Sequence, residues 1–350
     1  MTSRMTPADA LKLYQHATIH ELGQAAHAAC SRLHPEPHRT YVIDRNINYS
    51  NVCVARCAFC NFKVAPNDPA GYVLSTETLL AKVADLVAIG GTQVLLQGGL
   101  HPGLPLEWFE ELFRTIKRNF PAINLHALSP PEVVHLSRLT GLPIRDVLAR
   151  LQQAGLDSLP GGGAEILVDR VRRKLSPGKC STDEWLDAMR QAHQLGLPTS
   201  ATMMFGHVET DAERIEHLDR IRTLQEETGG FVAFIPWTFQ HQHTPLTRAG
   251  ENDIRLAGAT DYLRTLAISR LFLDNVPNLQ ASWVTQGEKI GQLALFYGAN
   301  DLGGVMMEEN VVSSAGGAAA TFRLDEPKIR HLIQSAGWTP RQRNQRYELV

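Results

Sequence analysis

From Tyr41 onward the chain alternates between short apolar runs with strand character and longer runs with helical spacing, and this alternation restricts the fold more than any other feature. Repeated strand–helix order along one chain means parallel strands joined by crossover helices. After a first strand from Tyr41, strand-like runs fall at Thr92–Gln97, Ala122–His126, Leu156–Leu159, Thr199–Met204, Phe231–Ile235, Asn278–Ser282 and Asn300–Leu302. Helical runs fall between them, among them Ser75–Ile89, Leu106–Asn119, Asp211–Glu227, Ile254–Leu273 and Gly287–Tyr297. About eight strands fit an α/β fold of the closed (β/α)8 TIM-barrel type. An open (β/α)6 barrel with added elements is the alternative, because the last two strands are weak. Residues 1–40 read as an N-terminal helical extension whose two helices cover one end of the fold. Residues 41–322 read as the barrel, and 323–350 as a C-terminal helix and polar tail packed on it.

Composition narrows the class. An apolar content of 43% in 350 residues supports a large core, and the net charge of −2 comes without a basic block. A nucleic-acid binder or a membrane-surface binder would need a positive footprint that is missing here. No signal-like apolar run opens the chain, and no stretch is long enough for a transmembrane helix. The expectation is a cytoplasmic protein with reduced cysteines.

Three of the five cysteines crowd into one loop, Cys53, Cys57 and Cys60, directly after the first strand. Thiolates at such spacing bind zinc or an iron–sulfur cluster. A closed zinc site needs four protein ligands, so it would borrow a remote one such as Cys180 or a histidine. Three thiolates also suit a four-iron cluster with one iron left open. Cys30, in a helix, and Cys180, in a turn, read as spare thiols.

The pattern C-x3-C-x-aromatic-C after a first strand resembles the cluster loop of the radical S-adenosylmethionine superfamily. The resemblance implies that Cys53, Cys57 and Cys60 hold three irons of a [4Fe–4S] cluster. S-adenosylmethionine would chelate the fourth iron, and its one-electron cleavage would give a 5′-deoxyadenosyl radical. Phe59 would lie against the adenine. Gln97-Gly98-Gly99 resembles the glycine-rich segment that binds the methionine amino group, with Leu100 standing where an acidic residue is usual. Glu165, beyond Gly161-Gly162-Gly163, can reach a ribose diol. The Met204–Glu209 segment with Gly206 resembles the stretch that packs the adenine.

Within the superfamily, Asn46–Cys53, Gln93–Gly99 and Asn124–Glu132 look like the menaquinone-pathway and deazaflavin-cofactor branch, and among its members the futalosine-cyclising enzymes. The implied substrate is a small molecule, dehypoxanthine futalosine. Flavodoxin or ferredoxin is the implied electron donor, and His126 or Tyr49 the implied base. Aminofutalosine synthase and the deazaflavin-chromophore synthase share the loop and remain open. A non-catalytic iron–sulfur electron carrier would normally ligate its cluster with four cysteines.

Overall fold

Strands β1 (His38–Val42) and β2 (Asp44–Asn48) are one strand broken at Ile43, and the rest of the molecule is arranged around it. The computed structural model describes residues 4–248, 253–316 and 324–350. The remaining strands are β3 (Gln93–Gln97), β4 (Asn124–Ala127), β5 (Thr199–Phe205), β6 (Phe231–Thr238), β7 (Asn278–Leu279), β8 (Asp301–Gly304) and β9 (Thr339–Gln342). All the ladders are parallel: β2 pairs β3, β3 pairs β4, β5 pairs β6 and β6 pairs β7. Single bridges from His126 to Ser158 and from Leu159 to Thr199 supply a fourth strand reduced to two residues. Gln280 bridges to Asp301, and β8 pairs β1 through Thr40 and Asp301, which closes the ring. The result is a closed TIM-type barrel.

Helices cover the outside for local reasons visible in the sequence. Helix α1 (Pro7–His16) starts at a Thr6 capping box and α2 (Ile19–Leu33) at a Thr18 capping box. The crossover helices are α3 (Thr76–Ala88), α4 (Leu106–Asn119), α5 (Pro130–Thr140), α6 (Ile144–Ala154), α7 (Asp169–Leu175) and α8 (Thr182–Gln194). They continue with α9 (Asp211–Thr228), α10 (Pro245–Arg248), α11 (Ala259–Phe272), α12 (Trp283–Ala294), α13 (Val311–Ser314) and α14 (Glu326–Ser335). Helix α4 turns Leu106, Phe109, Leu112, Phe113 and Ile116 inward, a single stripe at helical spacing.

Several expectations are corrected. Helices α1 and α2 pack on α9 and α11, along the outer helical layer, where Tyr14 bonds Thr265 and takes a hydrogen bond from Arg214. The helix expected from Ile254 begins at Ala259, because the preceding residues run under the β5 turn and Arg255 N–H bonds His207 O at 2.8 Å. Gly287, at φ 76°, breaks α12. The polar tail is also more than a surface tail. Strand β9 pairs with β1, and beyond it Arg343, Gln345 and Tyr347 enter the barrel. The boundary expected at 322–323 and the end of the 236–250 loop lie outside the described residues.

Candidate active site

Strand register sets the depth of the interior. Asp44 pairs Gln93 at the N-terminal ends of β2 and β3, and Asn48 pairs Gln97 at their C-terminal ends. The cluster loop leaves from the C-terminal end, which is the mouth of the barrel. A cavity of about 380 Å³ runs inward from there, lined by Cys53, Cys57, Cys60, Phe59, Gln97, Gly98, Gly99, Glu165 and His126. Four separate stretches of the sequence reading, the cluster loop, Gln97–Gly99, His126 and Glu165, thus become one wall.

The loop is held by its backbone. Cys53 N–H bonds Val64 O, Val54 N–H bonds Leu100 O, and Ala58 N–H bonds Leu175 O at 2.7 Å. Lys63 Nζ donates to the carbonyls of Cys57 and Cys60 at 2.7 and 3.0 Å. Leu100 N–H donates to Cys53 Sγ at 3.2 Å, and Ala55 and Leu100 form an apolar bed with the three cysteines and Phe59. A side chain at Gly99 would place its Cβ 2.1 Å from Val52 O, so only glycine lets the strand-end and the loop meet. Burial pushes the Cys57 thiol up to about 12, so ligation has to supply the charge that favours its thiolate.

Among the described residues no three His, Cys, Asp or Glu groups converge as tightly as a single ion requires. Cys180 is turned to Arg172, whose guanidinium lies 3.6 Å from its Sγ. The zinc alternative therefore lacks its remote ligand, whereas three thiols at one mouth with a donor on sulfur fit a cluster with an open iron. Cys30 points to Ala299 O in the core.

Glu165 sits at φ 43°, a left-handed backbone uncommon for a non-glycine residue. Lys179 Nζ bonds its Oε1 at 2.9 Å, and Arg172 stands 3.6 Å from Oε2, within ion-pair reach but without a hydrogen bond. That buried oxygen, on a residue that lines the cavity, has no hydrogen-bond donor among the described residues. Lys179 also lies 5.1 Å over the Phe59 ring.

Three expected site residues are placed differently from the roles given to them. Tyr49 is buried behind the wall, its ring against Gly98 and Phe109, and its hydroxyl donates to Glu132 at 2.8 Å. Burial and the neighbouring Glu132 carboxyl raise its pKa well above the ordinary value, which unsuits it as a base. Gly206 lies outside the cavity, at φ 88° under Ala257, where its N–H binds Glu209. His126 does line the cavity, but burial lowers its pKa to about 3. Ser158 Oγ–H donates to Asn124, so Ser158 accepts from His126 Nδ1–H, and Gln345 Nε2–H donates to the other ring nitrogen. The imidazole is neutral, with both nitrogens engaged.

Sequence reasoning missed Glu132. The sequence offers it only as the end of the Asn124–Glu132 segment, with no role of its own, yet Gly98 N–H, Tyr49 O–H and Ser129 O–H all converge on its carboxylate at the cavity wall. Burial outweighs these donors and raises the carboxyl from the ordinary 4.5 to about 7. Lys179, Arg343 and Gln345, which carried no motif, also line the cavity, as do Asn46 and Gln93, which open two of the segments that carry the resemblance.

The Radical SAM superfamily profile matches residues 47–221, and that of the CofH/MqnC C-terminal region matches residues 228–350. The cyclic dehypoxanthine futalosine synthase of Halalkalibacterium halodurans is 44% identical over 99% of this chain and 92% of its own. That of Streptomyces coelicolor is 46% identical over 99% of this chain and 85% of its own. The 5-amino-6-(D-ribitylamino)uracil–L-tyrosine 4-hydroxyphenyl transferase of Methanopyrus kandleri is 44% identical over 93% of this chain and 88% of its own. Among solved structures, methylornithine synthase (PylB) superposes with a TM-score of 0.75 at 20% identity, covering 97% of this chain and 95% of that one. The FeFe-hydrogenase maturase HydG from Carboxydothermus hydrogenoformans gives 0.78 at 14%, covering 99% and 78%. At these identities the two structures speak for the fold.

Proposed function

The chain belongs to the radical S-adenosylmethionine superfamily, and on that premise we propose that it cyclises dehypoxanthine futalosine to cyclic dehypoxanthine futalosine in menaquinone synthesis. It is an enzyme that uses a [4Fe–4S] cluster and S-adenosylmethionine. The observation that carries the substrate is the near full-length identity to two synthases of that name, 44% and 46% over 99% of the chain. Bound together, the two cofactors supply a 5′-deoxyadenosyl radical, a reagent able to take hydrogen from carbon. In this reading the substrate loses the hydrogen on ribose C4′, and the carbon radical adds to the neighbouring benzoate ring. That hydrogen leaves as 5′-deoxyadenosine, and loss of one proton and one electron, which offsets the electron spent in cleaving S-adenosylmethionine as the oxidant, would then restore aromaticity.

This chain's residues have separable tasks. Cys53, Cys57 and Cys60 hold three irons. Gln97, Gly98 and Gly99 offer backbone close to the methionine amino group, in place of the acidic residue that Leu100 replaces. Phe59 lies against the adenine, and the free Glu165 oxygen takes a ribose hydroxyl. The barrel wall keeps water from the carbon radical. Glu132 accepts the proton released at the end, a role that neutral, capped His126 and buried Tyr49 do not fill. A titration near neutrality suits that task. Flavodoxin or ferredoxin delivers the electron.

A second reading, the uracil–tyrosine transferase of the deazaflavin route, is supported by the Methanopyrus relative, with the shorter span of 93%. Anaerobic reconstitution separates them. Dehypoxanthine futalosine with S-adenosylmethionine and a reductant should yield the cyclic product and 5′-deoxyadenosine by mass spectrometry. Product only from the ribitylaminouracil and tyrosine pair would establish the transferase instead, and product only from the aminofutalosine precursors would make it that pathway's synthase.

A further inference from the structure

Lys63 stands among the three cysteines of the loop although no motif marks it. Its neighbour Val64 bridges Val52 in parallel, accepting from Cys53 N–H at 3.0 Å and donating to Asn51 O at 2.9 Å. The backbone at 63–64 therefore runs beside the first cysteine. The side chain then folds back over the turn in which Cys60 N–H meets Cys57 O, and its Nζ donates to the carbonyls of both residues. One ammonium thus reaches two of the ligating residues from a backbone held by the third, and it lines the cavity with them.

The other charges near the loop are compensated or screened. Lys179 is bonded to Glu165 at 2.9 Å, and Arg172 stands within ion-pair reach of the same carboxylate. Arg56, next to Cys57 in the chain, is exposed, where water and salt weaken its field. Lys63 is half-buried, and among the described residues no carboxylate lies within ion-pair reach of it. Its charge is therefore left to act on whatever the three thiolates hold.

Adding an electron to a [4Fe–4S] centre makes it more negative, so a fixed positive charge nearby favours the reduced form. Net charge, hydrogen bonding and solvent exposure are the levers by which a protein sets such potentials. We propose that Lys63 is a positioning residue that acts through the cluster, raising its reduction potential to within reach of a low-potential one-electron donor protein. The donor loses one electron and the cluster gains it; no bond to Lys63 forms or breaks. The proposal rests on the cluster that the superfamily carries, and not on the substrate proposed above.

The test is a redox titration of the anaerobically reconstituted enzyme without substrate, followed by the electron paramagnetic resonance signal of the reduced cluster. Lys63→Gln keeps a donor for the carbonyls and loses the charge, Lys63→Met loses both, and Lys63→Arg keeps both. In the two neutral variants the ratio of reduced to oxidised cluster at a fixed potential should fall about tenfold, a midpoint about 60 mV lower. Lys63→Arg should stay near the wild-type midpoint, and Lys63→Gln should hold its iron. An unchanged midpoint in iron-replete Lys63→Gln overturns the proposal. So does loss of iron from both neutral variants, which would make Lys63 a clamp on the loop and nothing more. None of these readings uses dehypoxanthine futalosine, so failure of that substrate to turn over would reject the proposed reaction and leave the role of Lys63 standing.

Discussion

Cys57 and Cys180 show how little a residue type says without its surroundings. Both thiols are buried and both are raised, to about 12 and about 11. One shares a cavity mouth with two more thiols, and the other is held by Arg172. Replacing Cys53, Cys57 or Cys60 by Ala should therefore abolish 5′-deoxyadenosine formation with the far-ultraviolet dichroism intact, while Cys30→Ala and Cys180→Ala leave formation near wild type. Glu132 makes a prediction about pH. Its carboxyl titrates at about 7 when folded and near 4.5 when unfolded. Between those values the native state keeps a proton that the unfolded chain has released, so this group's contribution to stability falls as pH rises through that window. Urea unfolding at pH about 5 and about 7.5 should show a smaller drop for Glu132→Gln than for wild type.

Loops decide the site at the scale of elements. The turn after β3 and the cluster loop touch through two glycines with different neighbours. Gly98 accommodates the Tyr49 ring, and Gly99 accommodates the Val52 carbonyl and Cys53. Gly99→Ala should displace the cluster loop and lower iron incorporation severalfold, read by iron content and the absorbance of the reconstituted cluster. The thermal midpoint should move less, because the loop adds little to the main core. By contrast, the glycine after β5 belongs to a turn packed on Ala257. Its resemblance to a cofactor-packing segment reflects the strand end, whereas the neighbouring Glu209 is bound by Gly206, His207 and Arg214.

The whole molecule is tied together by its two ends. Strand β1 near the start carries β9 from the end of the chain on one side and β8 on the other. Asp301, fully buried, faces Arg343 from that tail. Arg343→Met leaves a buried carboxylate without its cation and should cost about 3–5 kcal/mol in denaturant unfolding. Removing residues 339–350 should cost more still, since it also strips a strand and opens the inner end of the barrel. A loss below about 1 kcal/mol in Arg343→Met would mean that the pair does not close the barrel.

The sequence by itself determined the parallel α/β class, the helix starts at Thr6, Thr18 and Asp211, and the crowding of three thiols after a first strand. Each of these is written in local spacing, which survives in a linear reading. Only tertiary structure decided that the strand expected at Leu156–Leu159 is reduced to bridges at Ser158 and Leu159, that Glu132 meets Gly98, and that Gln345 reaches His126 from the far end of the chain. Those outcomes depend on which buried groups lack a partner once the ring has closed, and spacing along the chain carries no record of that.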